Sequence, residues 1–200
     1  MQIKVIRKNI KNYRLSVKRT GEVIFSVPYY ATEEKIKEIL DEKKGWIQKK
    51  TSQITAQKEI KDNLGGLLYE GKVLPFNDGI FEGVDTKNIK KLNAFYRKKA
   101  EEKGKQLVET YSKTMNVNVK SVKIYSPKSR WGQCDAVGNI KLHSSLIKAP
   151  TEVFIYVVIH ELSHRYVMAH DKRFYSVLGK YCPDYKKYEK WLKNNGEIIR

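Results

Sequence analysis

Residues 2 to 28 alternate between apolar and polar side chains. Ile3 and Val5 open the pattern, Tyr13, Leu15 and Val17 continue it, and Val23, Phe25 and Val27 close it before Pro28. Polar breaks at residues 8–12 and 20–22 separate the runs. Period two with short breaks predicts an antiparallel meander of about three strands.

The period then changes. Thr32 is placed to cap a helix that begins with Glu33 and Glu34, acids favoured at that end. Ile36, Ile39, Leu40, Trp46 and Ile47 recur at helical spacing, and the pattern fades in the polar stretch 51–63. Beyond Gly65-Gly66, a short hairpin is expected from Leu67, Leu68, Tyr69, Val73 and Leu74 around Glu70-Gly71-Lys72. Residues 76–88, rich in Asp, Asn and Gly, read as loops or a linker. A long helix follows from about 87 to 114, with Leu92, Phe95, Tyr96, Ala100, Leu107, Val108 and Tyr111 on its apolar positions. Val122, Ile124 and Tyr125 predict a strand, 126–138 an irregular stretch, and Ile140, Leu142 and Ser144 another strand. Pro150-Thr151-Glu152 opens a strongly apolar helix that runs through residues 153–159 into His160. These elements make an α+β protein: an antiparallel β-rich N-terminal domain with one helix, residues 1–84, and a second domain, residues 85–200.

Composition narrows the class. The chain has 200 residues and is 40% hydrophobic, enough for a packed core. Mean hydropathy is negative, and no apolar run is long enough to span a membrane. The first eight residues mix charges into their apolar pattern, so they do not read as a signal peptide and the expected location is the cytoplasm. Cys134 and Cys182 form no C-x-x-C pair and are expected as free thiols there. A net charge of +18 has two readings. One is a polyanionic partner such as nucleic acid or a nucleotide. The other is a lysine-rich solvated surface, which suits a charge spread along the chain without a block.

The chemistry gathers in eleven residues. Of the four histidines in the chain, His160, His164 and His170 fall there, with Glu161 beside the first. On a helix, positions i and i+4 share a face, so His160 and His164 can aim both imidazoles at one cation. Glu161 lies about 100° further round, where its carboxylate reaches a water near the metal without ligating. A catalytic zinc takes three protein ligands and keeps a position open. His170 supplies the third if the chain turns back, because ten helical residues span about 15 Å; the helix should therefore end near 167–169, with Asp171 capping the next one over 172–180. Glu189, on a later helical segment, is the rival third ligand. These roles predict a zinc-dependent hydrolase with Glu161 as general base, although other divalent transition metals suit imidazole too.

Several further blocks stand in order along the chain: Val23-Ile24-Phe25-Ser26-Val27-Pro28, Tyr69-Glu70-Gly71-Lys72, Ser129-Arg130-Trp131-Gly132-Gln133-Cys134, Gly138-Asn139-Ile140-Lys141-Leu142-His143, the His-Glu-Leu-Ser-His helix, and His170-Asp171-Lys172-Arg173-Phe174-Tyr175. With these, the sequence resembles the YgjP-like metallopeptidase family within the zincins. Departures from the family pattern are Gln133 where it has Ser, His143 where it has Asn, and Tyr175 where it has Trp. The resemblance implies a zincin-like C-terminal domain with zinc on His160, His164 and His170, Glu161 as base, and a peptide substrate. It also implies a second activity, since a nucleoside triphosphate pyrophosphatase activity towards UTP is assigned within the family.

Arg130 and His143 are the candidate substrate contacts: the guanidinium fork suits a carboxylate or phosphate, and the strand of His143 should pass near the metal helix. Tyr166 and Tyr175 are packing candidates whose phenols could also steady an oxyanion. Peptide hydrolysis predicts an edge strand beside the metal. A nucleic-acid-binding module with a structural metal is the third reading, and it requires Cys134 or Cys182 as a fourth ligand.

Overall fold

The computed structural model describes residues 3–18, 20–127 and 129–200; Met1 and Gln2 in the first alternating run, Arg19 beside the second break and Lys128 in the irregular stretch lie outside the described residues. The chain is α+β and divides into two compact units, residues 1–63 and 64–200.

The first unit holds β1 (Ile3–Lys8), β2 (Arg14–Val17), β3 (Val23–Pro28) and the helix α1 (Glu33–Asp62). Its strands do not form the expected antiparallel meander. β3 lies in the middle, parallel to β1 and antiparallel to β2. Alternation specifies which face each strand buries, not its neighbour. Val23, Phe25 and Val27 are fully buried, so the most apolar strand takes the centre. Lys4, Arg7, Lys8 and Arg14 stand on the edges, where charge discourages further pairing. α1 starts on the Thr32 cap, whose hydroxyl accepts from Lys35 N at 3.3 Å. It then runs to Asp62, past the expected fade at residue 51, as a largely exposed polar helix.

The second unit starts earlier than the expected boundary at residue 84. Here β4 (Leu67–Tyr69) pairs with β5 (Lys72–Leu74), and Phe81 from a 3-10 turn over Gly79–Phe81 is buried in the core shared with Ile124, Leu142 and Phe154. The turn of this hairpin is bonded to the segment that precedes the apolar helix: Glu70 N donates to Ile147 O at 2.8 Å and Gly71 N to Lys148 O at 3.1 Å. Gly71 has φ +81°, and a methyl there would meet Pro150 Cα at 2.9 Å. Only glycine allows both this conformation and this approach.

The long helix α2 (Ile89–Thr114) packs on a three-stranded sheet of β6 (Ser121–Tyr125), β7 (Gly132–Cys134) and β8 (Asn139–His143). β8 is central, parallel to β6 and antiparallel to β7. The expected irregular stretch thus contains the edge strand β7, too short to show alternation. α3 (Thr151–Ser163), α4 (Lys172–Tyr181) and α5 (Tyr185–Ile199) complete the unit. α3 buries Val153, Phe154, Tyr156, Val157, Val158, Ile159 and Leu162, residues that go right round the helix. Such a helix is stable only when enclosed on all sides. It therefore gives His160 and Glu161 a rigid base.

Candidate active site

α3 ends at Ser163, a turn before the expected 167–169. His164 caps it, and Tyr166 and Val167 N–H groups both bond Ser163 O, at 3.0 and 3.1 Å. Three side chains hold this end. Arg165, absent from the sequence-based candidates, ties the end of α3 to the β7–β8 turn by donating to Ala136 O at 2.8 Å and to the α2–β6 connection by donating to Asn118 O at 3.1 Å. The Tyr166 phenol donates to Met115 O, so it is an anchor and not a candidate for steadying an oxyanion. His164 contributes Nδ1, 3.2 Å from Val167 O.

The chain returns through His170 and enters α4 at Asp171. The Asp171 carboxylate accepts from Arg173 N at 2.9 Å and Phe174 N at 3.1 Å, as expected of a helix cap. This turn brings His170 back to the other two histidines. One ligand nitrogen from each of His160, His164 and His170 lies within 4.8 Å of the others. Nε2 of His160 and Nε2 of His170 are 3.1 Å apart. Two ligands of a tetrahedral zinc, each about 2.0–2.1 Å from the metal, are separated by about 3.3 Å. The donor set is chemically suited as well. The Nδ1–H of His164 bonds a backbone carbonyl, which leaves Nε2 as the free lone pair. Burial, followed by the neighbouring His164 and His170, pulls His160 down to about 3, so its ring is neutral at pH 7. Burial lowers His164 as well. The residues fit a divalent cation of the zinc type. Glu189 is exposed on α5 and does not belong to this group, which leaves His170 as the third member.

Glu161 is 5% exposed and points at β7. Burial pushes its carboxyl up to about 8, and the Arg130 guanidinium acts in the opposite direction. A nearby cation would favour the ionised form further. Gly132 makes room for this side chain: a methyl there would stand 2.3 Å from Glu161 Oε1 and 2.7 Å from Cδ. The role of Gly132 in the structure is this close approach.

A cleft of about 570 Å³ opens over the cluster. Arg130, Trp131, Gly132, Gln133 and Cys134 line one side, while Tyr156, Val157, His160 and Glu161 line another. Tyr156 is missing from the sequence-based candidates. Its spacing of four from His160, itself four before His164, was the available signal. Trp131 is held in place from α5: its ring fits over Gly196 and lies 4.0 Å from the Arg200 guanidinium.

His143 does not line this cleft. Its Nδ1 accepts from Ser145 N at 3.0 Å, its Nε2 lies 3.2 Å from Pro127 O, and its ring packs on Trp131 at 5.1 Å. Both nitrogens are engaged by backbone, so His143 holds the turn after β8. Tyr175 stacks on Tyr185 at 5.8 Å. Cys134 lines the cleft without joining the histidine group, and burial, with Glu161 next in effect, pushes its thiol up to about 11. Among the described residues no helix is long and apolar enough to cross a membrane.

A family model described as YgjP-like, metallopeptidase domain, matches residues 11–77 and 81–195. No curated protein matches the chain. Among solved structures, the metallopeptidase zymogen of Pyrococcus abyssi abylysin is similar to 44% of this chain over 91% of its own length, at 21% identity and a TM-score of 0.41.

Proposed function

The chain belongs to the YgjP-like metallopeptidase family, and from that premise we propose that it is a zinc-dependent peptidase in which His160, His164 and His170 hold the metal and Glu161 is the general base. The observation that carries this reading is the convergence of three imidazole nitrogens within 4.8 Å beside a buried carboxyl, at the floor of an open cleft. When bound, zinc supplies Lewis acidity, which acidifies water and polarises a carbonyl oxygen.

The protein's own groups do the rest. Glu161 accepts a proton from the attacking water and returns it to the departing amine. Its buried setting supports that work, since a base is most effective with a pKa near the operating pH. β7 is an edge strand, and among the described residues no strand covers its outer side. An extended peptide can pair there, which would place its backbone next to Glu161. Arg130, exposed at the mouth of the cleft, is suited to a substrate carboxylate. Two free buried thiols, Cys134 and Cys182, agree with a cytoplasmic location.

A second reading rests on Arg130 alone: the same guanidinium suits a phosphate, so hydrolysis of UTP or another nucleoside triphosphate at this site is the alternative. The nucleic-acid-binding reading needs a fourth protein ligand, and the histidine group offers none among the described residues.

The test pairs two substrates with one variant. Zinc-loaded protein is incubated with casein peptides and, separately, with UTP. The proposal expects peptide cleavage without pyrophosphate release, and expects Glu161→Gln to retain zinc while losing turnover. Pyrophosphate release without peptide cleavage selects the second reading; full activity in Glu161→Gln refutes both.

A further inference from the structure

A metal-binding histidine is usually steadied by a hydrogen bond to its other ring nitrogen, and losing that partner costs about 10–100-fold in affinity. His164 has such a bond, to Val167 O. His160 does not: among the described residues its Nδ1 is buried without a hydrogen-bond partner. For His170, the hydrogen bond seen is the Nε2 contact with His160. His160 thus needs another means of orientation.

One side chain touches all three. The ring of Phe174, fully buried, lies 4.9 Å from His160, 4.7 Å from His164 and 4.6 Å from His170, centroid to centroid. Its plane is steeply tilted to those of His160 and His170, at 68° and 62°, and closer to parallel with that of His164, at 33°. Edge-to-face and tilted pairs at these separations are attractive and directional. Tyr156 adds an edge contact to His160 from the other side, at 5.9 Å. The Asp171 cap on Phe174 N fixes where α4 begins, and so where this ring sits.

We propose that Phe174 is a positioning residue for the metal site: it is the common face against which the three imidazoles are set, and for His160 it replaces the missing hydrogen-bonded partner. This rests on the three histidines being the ligands. It predicts that the site is pre-aligned before metal arrives. A smaller or flexible side chain at 174 then weakens metal binding more than its effect on folding explains.

The experiment measures zinc affinity by competition with a chromophoric chelator, together with the visible spectrum of the cobalt form. It compares wild type, Phe174→Leu and Phe154→Leu. Phe154 is an equally buried phenylalanine on α3 that packs towards Gly104 of α2, so its variant controls for lost core packing. The inference expects Phe174→Leu to weaken zinc binding about 10–100-fold and alter the cobalt bands, and expects Phe154→Leu to bind as wild type. Equal affinities in all three proteins, or equal losses in both variants, overturn it. If Phe174→Leu fails to fold, Phe174→Met is measured against the same outcomes. Wild type that binds no metal overturns the ligand assignment itself, a result distinct from tight binding that is insensitive to residue 174.

Discussion

The Glu161 carboxyl lies directly over Gly132, with room for a hydrogen and not for a methyl group: a Cβ on residue 132 would come within 2.3 Å of Oε1. The base and the strand that lines the cleft are therefore packed against each other. Gly132→Ala should displace the carboxylate and lower kcat by at least about tenfold, the range in which misplaced proton-transfer groups act. Zinc affinity should stay near wild type, because a methyl at 132 meets Glu161, which is not one of the three grouped histidines. A variant with normal kcat would show that the base does not work from this position.

Asp171 links the third histidine to α4. Asp171→Ala removes the acceptor for two backbone N–H groups and should cost about 1 kcal/mol of stability, read from urea unfolding. Since the same cap fixes the turn after His170, zinc affinity should fall as well. Lost stability with unchanged affinity would separate the cap from the site.

Removal of one proposed ligand gives a sharper contrast. His170→Ala should abolish tight zinc binding, whereas Glu189→Ala, on the exposed face of α5, should leave it unchanged. The reverse pattern would restore Glu189 as the third ligand.

In metal-free protein, the site should shape stability against pH. Glu161 titrates near 8 when folded against an ordinary 4.5, so its contribution is full below 4.5 and drains as pH rises towards 8. His160 titrates near 3 against an ordinary 6.5, so its contribution is full above 6.5 and drains as pH falls towards 3. Each slope approaches about 1.4 kcal/mol per pH unit. They oppose one another between 4.5 and 6.5, which leaves a net loss on the alkaline side from 6.5 to 8. Glu161→Gln should flatten that alkaline loss in urea midpoints of the metal-free protein. Parallel curves for wild type and variant would argue against a buried neutral carboxyl.

What the sequence made legible was local. His160, Glu161 and His164 share one helix, whose geometry is fixed by spacing, and Asp171 announced the turn that returns His170. Contacts between distant segments were not legible. β7, three residues long and composed of Gly, Gln and Cys, shows no period, and the space Gly132 leaves for Glu161 exists only in the folded chain. The central position of β3 followed from burial competition among strands, about which alternation is silent. Phe81, in a loop-like stretch, concealed the fact that residues 64–84 belong to the second unit. His143 looked like chemistry because histidine is versatile; here its two nitrogens serve backbone.

In the proposed site, three imidazoles hold one cation with a coordination position left for water. X-ray absorption on protein loaded with one equivalent of zinc tests this arrangement most directly. The expected spectrum fits three imidazole nitrogens at about 2.0–2.1 Å and one further light oxygen. A sulfur scatterer at about 2.3 Å, or a fourth protein ligand closing the sphere, would contradict it.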